Sequence, residues 1–170
     1  MTYTIDQLMA CTPCPEYPRE RIELLLQDPF IAEDVAALAI DTPDRVWALI
    51  ALLDKQRQRL FACDCADRAL VRIATPDPRS VAAVVVARRF ANGDATVKEL
   101  DAARYAAWTA AGGAAGYAAV YAAGYGAWSA ATSAAWDAAR DAARSAAWDA
   151  EREWQLTALV AAHNNEGDDQ

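Results

Sequence analysis

Histidine is almost missing from this chain: among 170 residues there is a single one, His163, beside 2 methionines and 3 phenylalanines. A two-histidine metal helix is therefore absent, and the sequence holds neither a phosphate-binding loop nor a nucleophile–base set. No catalytic residue and no cofactor is implied, and the chain reads as a non-enzyme. Carboxylate pairs such as Glu33–Asp34 and Glu151–Glu153 have nothing that separates them from surface charge. Cationic side chains are also in deficit. With 16 Lys and Arg against 24 Asp and Glu, the net charge is −8. General nucleic-acid or anionic-membrane binding is disfavoured, because both need clustered Lys and Arg. Long uninterrupted apolar runs are lacking as well. Charges or hydroxyls break the Ala-rich stretches at short intervals, so no membrane span is expected. Met1 to Ala10 has no basic n-region and no apolar h-region, which leads to the expectation of a cytoplasmic protein.

Cysteine is scarce, with 4 in the chain. Cys11 and Cys14, in the turn CTPC, have metal-ligand spacing and are the candidates for a zinc site. Cys63 and Cys65, in CDC, fall on a helix, where residues two apart point about 160° away from each other. One of them can join Cys11 and Cys14, but not both without unwinding. Buried free thiols are the favoured reading.

What the chain has in abundance is helix punctuation and alanine. Thr4 with Gln7 makes a capping box, as does Thr96 with Glu99. Pro18 is placed to open a helix through Leu26, Ile31 to Ile40 has helical spacing, and Thr42–Pro43 reads as another start. Leu60, Phe61, Cys63, Ala66, Leu70 and Ile73 continue the pattern to Thr75–Pro76. Asp77–Pro78 restarts it, and Gly93 reads as a C-terminal cap. No segment reads as a strand; Val84-Val85-Val86 is β-prone but lies inside a helical frame. The expected fold is all-α: a multi-helix bundle with long, closely packed antiparallel Ala-rich helices in the C-terminal half. The expected organisation is one domain over 1–162, with shorter helices in 1–94 and Ala-rich helices in 95–162. A disordered acidic tail is expected over 163–170.

Ala-Ala pairs begin at 102, 106, 110, 114, 118, 122, 130, 134, 138, 142 and 146, with Gly126-Ala127 as the one altered pair. An α-helix turns about 100° per residue, so a four-residue repeat drifts about 40° at each step. No single straight helix keeps such a face on one partner. At least one break is expected near Gly112 or Gly124, with helices packed through alanine. The positions between the alanines form two rows. One runs Trp108, Gly112, Gly116, Val120, Gly124, Trp128, Thr132, Trp136, Arg140, Arg144, Trp148. The other runs Tyr105, Thr109, Gly113, Tyr117, Tyr121, Tyr125, Ser129, Ser133, Asp137, Asp141.

The candidate ligand-binding residues are Tyr117, Tyr121, Tyr125, Trp128, Trp136, Arg140 and Arg144. The aromatics can stack a base or clasp a peptide, and the arginines can clamp phosphate or carboxylate. Two plainer roles compete: aromatics filling an alanine core, and Asp137 and Asp141 neutralising the arginines on a solvated face.

Several blocks together resemble a bacterial and phage immunity-protein family of the immunity-five-like, Ala-rich helical kind. These are FACDCADRAL (61–70), DPRSVAAVVVARRFANGDATVKELDAARYAA (77–107) and AAWDAEREWQLTAL (146–159), with LMACTPCPEY (8–17) as a weaker match. Phe90 stands where that family usually has Trp, and Tyr and Gly are unusually dense between Gly112 and Gly126. The resemblance implies a non-enzymatic protein that neutralises an antibacterial toxin or, in a phage-encoded copy, a host-defence component. No active site comes with it. A sponge that sequesters a nucleotide signal through Tyr, Trp and Arg is one alternative, and a structural helical homo-oligomer is another.

Overall fold

Local capping chemistry decides where most helices begin. In the computed structural model of the chain, residues 1–110, 114–124, 133–134, 137–138 and 148–165 are described. They form an all-α, multi-helix protein with one minimal pair of strands. Clustering of contacts divides it into two units. Met1–Leu53 with Trp154–Gln170 make the first, and Asp54–Glu153 the second.

In the first unit β1 (Thr2–Tyr3) pairs antiparallel with β2 (Phe30–Ile31), in the register Tyr3 opposite Phe30. These strands correct the expectation of none. They are two residues long, too short to leave an alternation in the sequence, and their partner lies nearly thirty positions away. Helix α1 (Ile5–Ala10) opens on the expected Thr4–Gln7 capping box. Helix α2 is Arg19–Leu25, with Pro18 outside it as the cap. Helix α3 is only Ala32–Ala36, not a helix to Ile40. Asp34 accepts from the Ile31 N–H at its start, and Arg45 donates to the Ala36 carbonyl and the Thr42 hydroxyl at its end. Helix α4 (Thr42–Leu52) follows, with Asp41 in the N-cap position, one residue before the expected Thr42, and no side-chain bond closing it.

The second unit holds α5 (Lys55–Val71), α6 (Pro78–Ala91), α7 (Val97–Ala110) and α8 (Ala114–Ala122). Asp77 caps α6 as expected. Its carboxyl, holding the Arg79 side chain and N–H, is drawn down to about 2. Gly93 closes α6 at φ +82, a left-handed conformation that glycine adopts without the strain of a Cβ. Helix α5 is buried on opposite sides: Cys63 and Cys65 are both fully covered, as are Ala62, Ala66 and Ala69. Burial pushes the Cys63 thiol up to about 12 and raises that of Cys65 well above its ordinary value. Helices α5, α6, α7 and α8 pack on one another.

The Ala-rich region forms more than one helix. Trp108 on α7 and Tyr117 on α8 have ring centroids 5.9 Å apart. Nine residues of continuous helix would separate them by about 13 Å, so α7 and α8 are two helices packed on each other. Gly112, where a break was expected, lies outside the described residues. Helix α8 ends at Ala122. There the buried Arg59 of α5 donates to the Gly124 carbonyl at 2.6 Å and the Ala122 carbonyl at 3.4 Å, and its guanidinium lies 5.0 Å from the Phe90 ring. A cation placed on the last carbonyls of a helix satisfies acceptors that have no intrahelical donor.

Helix α9 (Trp148–Asn164) spans the boundary between the units, its first six residues counted with the second unit and the rest with the first. The expected tail is thereby corrected at its first residues. His163 is helical and 1 % exposed, and residues 166–170 lie outside the described residues. The imidazole Nε2 meets the Leu49 carbonyl at 2.9 Å, so Nε2 carries the hydrogen, and Nδ1 is hydrogen-bonded to the Tyr3 hydroxyl. Tyr3→Phe removes that partner from a buried ring nitrogen and is expected to cost about 1–3 kcal/mol in urea-denaturation stability. A change within about 0.5 kcal/mol would show the bond to be dispensable.

Candidate functional site

On α8 the described alanines are buried and the two tyrosines between them stay partly outside. Ala118, Ala119, Val120, Ala122 and Ala123 are all buried, while Tyr117 and Tyr121 keep 36 % and 37 % of their surface exposed. Alanine is small enough to let three neighbouring helices close on α8 from most directions, leaving one stripe outside. Residues four apart lie on nearly the same line of a helix, so the stripe is the tyrosine row. On α7 only Leu100 and Ala107 are buried, and Tyr105 and Trp108 are exposed at 72 % and 57 %. Trp108 meets Tyr117 edge-on with an interplanar angle of 76°. The contact of α7 with α8 thus joins their exposed aromatics into one face. Thr109 beside it accepts from Arg79 at 3.3 Å and donates to the Ala106 carbonyl, tying the end of α7 to the start of α6.

Tyr117 and Tyr121 therefore stand at the surface, not in the core, which corrects the core-filling role favoured from composition. Tyr125, Trp128, Trp136, Arg140 and Arg144 lie outside the described residues. Asp137 is 3 % exposed, so it does not belong to a solvated face. Tyr105 and Trp108 were visible in the two rows but not as members of the site. Their place depends on the contact of α7 with α8, which brings Trp108 against a residue nine positions later.

The cysteines do not form one set. Cys11 is half-buried and donates to the Ala51 and Gln7 carbonyls, and Cys14 is exposed; both belong to the first unit, while Cys63 and Cys65 belong to the second. Among the described residues no three His, Cys, Asp or Glu side chains gather as metal ligands.

A charged cluster escaped the sequence altogether. Glu151, expected at the surface, is fully buried. Its Oε2 accepts from Arg68 Nε at 3.2 Å and from Arg72. Both arginines come from the C-terminal end of α5, and Cys65 and Arg152 are close enough to feel the same field. Burial lowers the Arg152 guanidinium. Arg68 and Arg72 keep part of their side chains in solvent. Nothing in this arrangement presents a nucleophile or an open coordination position; it clamps α9 to α5 within the second unit.

No family model, no curated protein and no solved structure matches the chain. No helix among the described residues is long and apolar enough to cross a membrane.

Proposed function

We propose that the chain is a binding protein that docks through the aromatic face of α7 and α8 onto a partner protein and neutralises it, as a toxin-immunity protein or a phage anti-defence inhibitor. The observation that carries this reading is the set of four exposed aromatics, Tyr105, Trp108, Tyr117 and Tyr121, presented on a pair of helices backed by buried alanine. Trp and Tyr are the side chains that concentrate binding energy at protein interfaces. A net charge of −8 suits a partner whose rim is basic, with attraction between the two speeding encounter. The neutralising role comes from the sequence resemblance. The edge-on contact of Trp108 with Tyr117 favours a protein over a nucleotide, because a base sandwich needs two parallel faces held apart.

The test is co-expression with a panel of antibacterial toxins and phage-defence effectors, with complex formation followed by native mass spectrometry. The chain is expected to rescue growth against one of them and to form a stoichiometric complex with it. Tyr105→Ala with Trp108→Ala is expected to weaken that complex about 100-fold or more, with the helical circular dichroism unchanged. A double variant that protects as well as the natural chain, or a panel with no complex, would count against this reading. Thermal stabilisation by cyclic or ADP-ribose-type nucleotides, without any protein complex, would support the sponge instead.

A further inference from the structure

The first unit contains a cavity of about 270 Å³, whereas the aromatic face belongs to the second unit. Leu26, Val35 and Trp47 belong to its apolar wall. Cys14, Tyr17 and Asp44 supply its polar groups. Helices α1 to α4 all reach it, together with the irregular turn after α1 and the residues between α3 and α4. The turn is held by the hydroxyl of Tyr17, which donates to Asp44 Oδ2 at 2.7 Å. That bond, with Asp44 charged beside it, pushes the Tyr17 phenol up to about 12, so it remains a neutral donor. Arg21 covers the Tyr17 ring at 4.4 Å, and its NH1 donates to the Glu16 carbonyl. The guanidinium does not line the cavity.

Asp44 is thus the one residue of the lining that carries a formal charge at neutral pH, and it is set among apolar walls. A cavity of about 150 Å³ is enough for benzene, so this one takes a phenyl ring with a short chain. A carboxylate in the lining of such a half-open space attracts a cation, and a hydrogen bond with an ionised partner is stronger than a neutral one.

We propose that this cavity binds a small primary amine with an aromatic or branched apolar body, its ammonium group held by the Asp44 carboxylate. The site is independent of the aromatic face on α7 and α8, so either can fail without the other. Tyr17 orients the carboxylate by occupying one of its oxygens and leaves the other for the guest. Cys14 is the exposed thiol of the four and stands in the cavity lining, which makes its alkylation a direct reporter of occupancy.

The experiment compares 2-phenylethylamine, 3-phenylpropionate and ethylbenzene on the full chain, by titration calorimetry and by the rate of Cys14 alkylation. The amine is expected to bind at millimolar affinity or better, about tenfold or more tighter than the carboxylate, and to slow alkylation of Cys14. Asp44→Asn keeps an oxygen that accepts from Tyr17, so the turn is retained. This variant is expected to bring the amine and the carboxylate within about threefold of each other and to leave ethylbenzene unchanged. Ala48→Phe, which fills the space from α4, is expected to abolish binding of all three while circular dichroism stays the same. Three results would each overturn the proposal: no saturable binding of the amine up to about 10 mM, equal affinity for the amine and the carboxylate, or a preference for the amine that survives in a folded Asp44→Asn variant.

Discussion

Replacing Arg68 and Arg72 together by methionine is expected to cost about 3–5 kcal/mol of folding stability, read as the shift in urea midpoint at constant slope. Glu151 has no exposed surface of its own, and both arginines reach the same oxygen, Oε2. Without them the carboxylate loses two donors at a place where water does not reach it. Losing two cations from the C-terminal end of α5 adds a smaller penalty, about 0.3–1 kcal/mol each where exposed, through the helix dipole. Glu151→Gln alone is expected to cost less, because Arg68 and Arg72 are part-exposed and can turn to solvent. The informative variant is the triple, Glu151→Gln with both methionines. It is expected to recover most of the loss, since the buried charge is removed together with its partners. If the triple variant is no more stable than the double, the arginines contribute by packing, and the ionic account is wrong.

Leu100→Ala is expected to cost about 2–5 kcal/mol and to loosen α7 before the rest of the second unit. Leu100 is 2 % exposed and is the one large side chain that α7 buries; its companion Ala107 brings little area. A helix whose other contacts are alanine and a partly exposed ring pair has little buried apolar area to share the loss. Amide hydrogen exchange should therefore quicken along α7 more than along α5, whose buried residues line opposite sides. Partner binding should weaken in the same variant, since Tyr105 and Trp108 ride on α7. Uniform acceleration across α5, α6 and α7 would mean instead that the second unit opens only as a whole.

The parts of the fold that sequence makes legible are those decided within four residues. The capping boxes of Thr4 with Gln7 and Thr96 with Glu99, the Asp77–Pro78 start and the Gly93 stop all depend on side chains beside the backbone groups they satisfy. The drift of the Ala-Ala repeat pointed to more than one helix, and α7 and α8 do pack on each other as two helices. What stayed hidden depends on distant residues. The strands need Tyr3 and Phe30 to meet. The surface position of Tyr117 depends on α5, α6 and α7 taking up the other sides of α8. The burial of Glu151 depends on arginines 79 and 83 residues earlier. The cavity is assembled from side chains between Leu8 and Ala48 that share no periodicity.

The nesting of one unit within the sequence of the other sets an order of events at the ribosome. Residues 54–153 leave it as one uninterrupted stretch and can condense while the chain is still being made. Met1–Leu53 emerge first yet finish last, since His163, which engages Tyr3 and Leu49, is made after all of the second unit. The apolar side chains of α1, α3 and α4 therefore wait, partly uncovered, through the synthesis of about a hundred residues. During that interval the growing chain offers chaperones a surface that the finished protein hides.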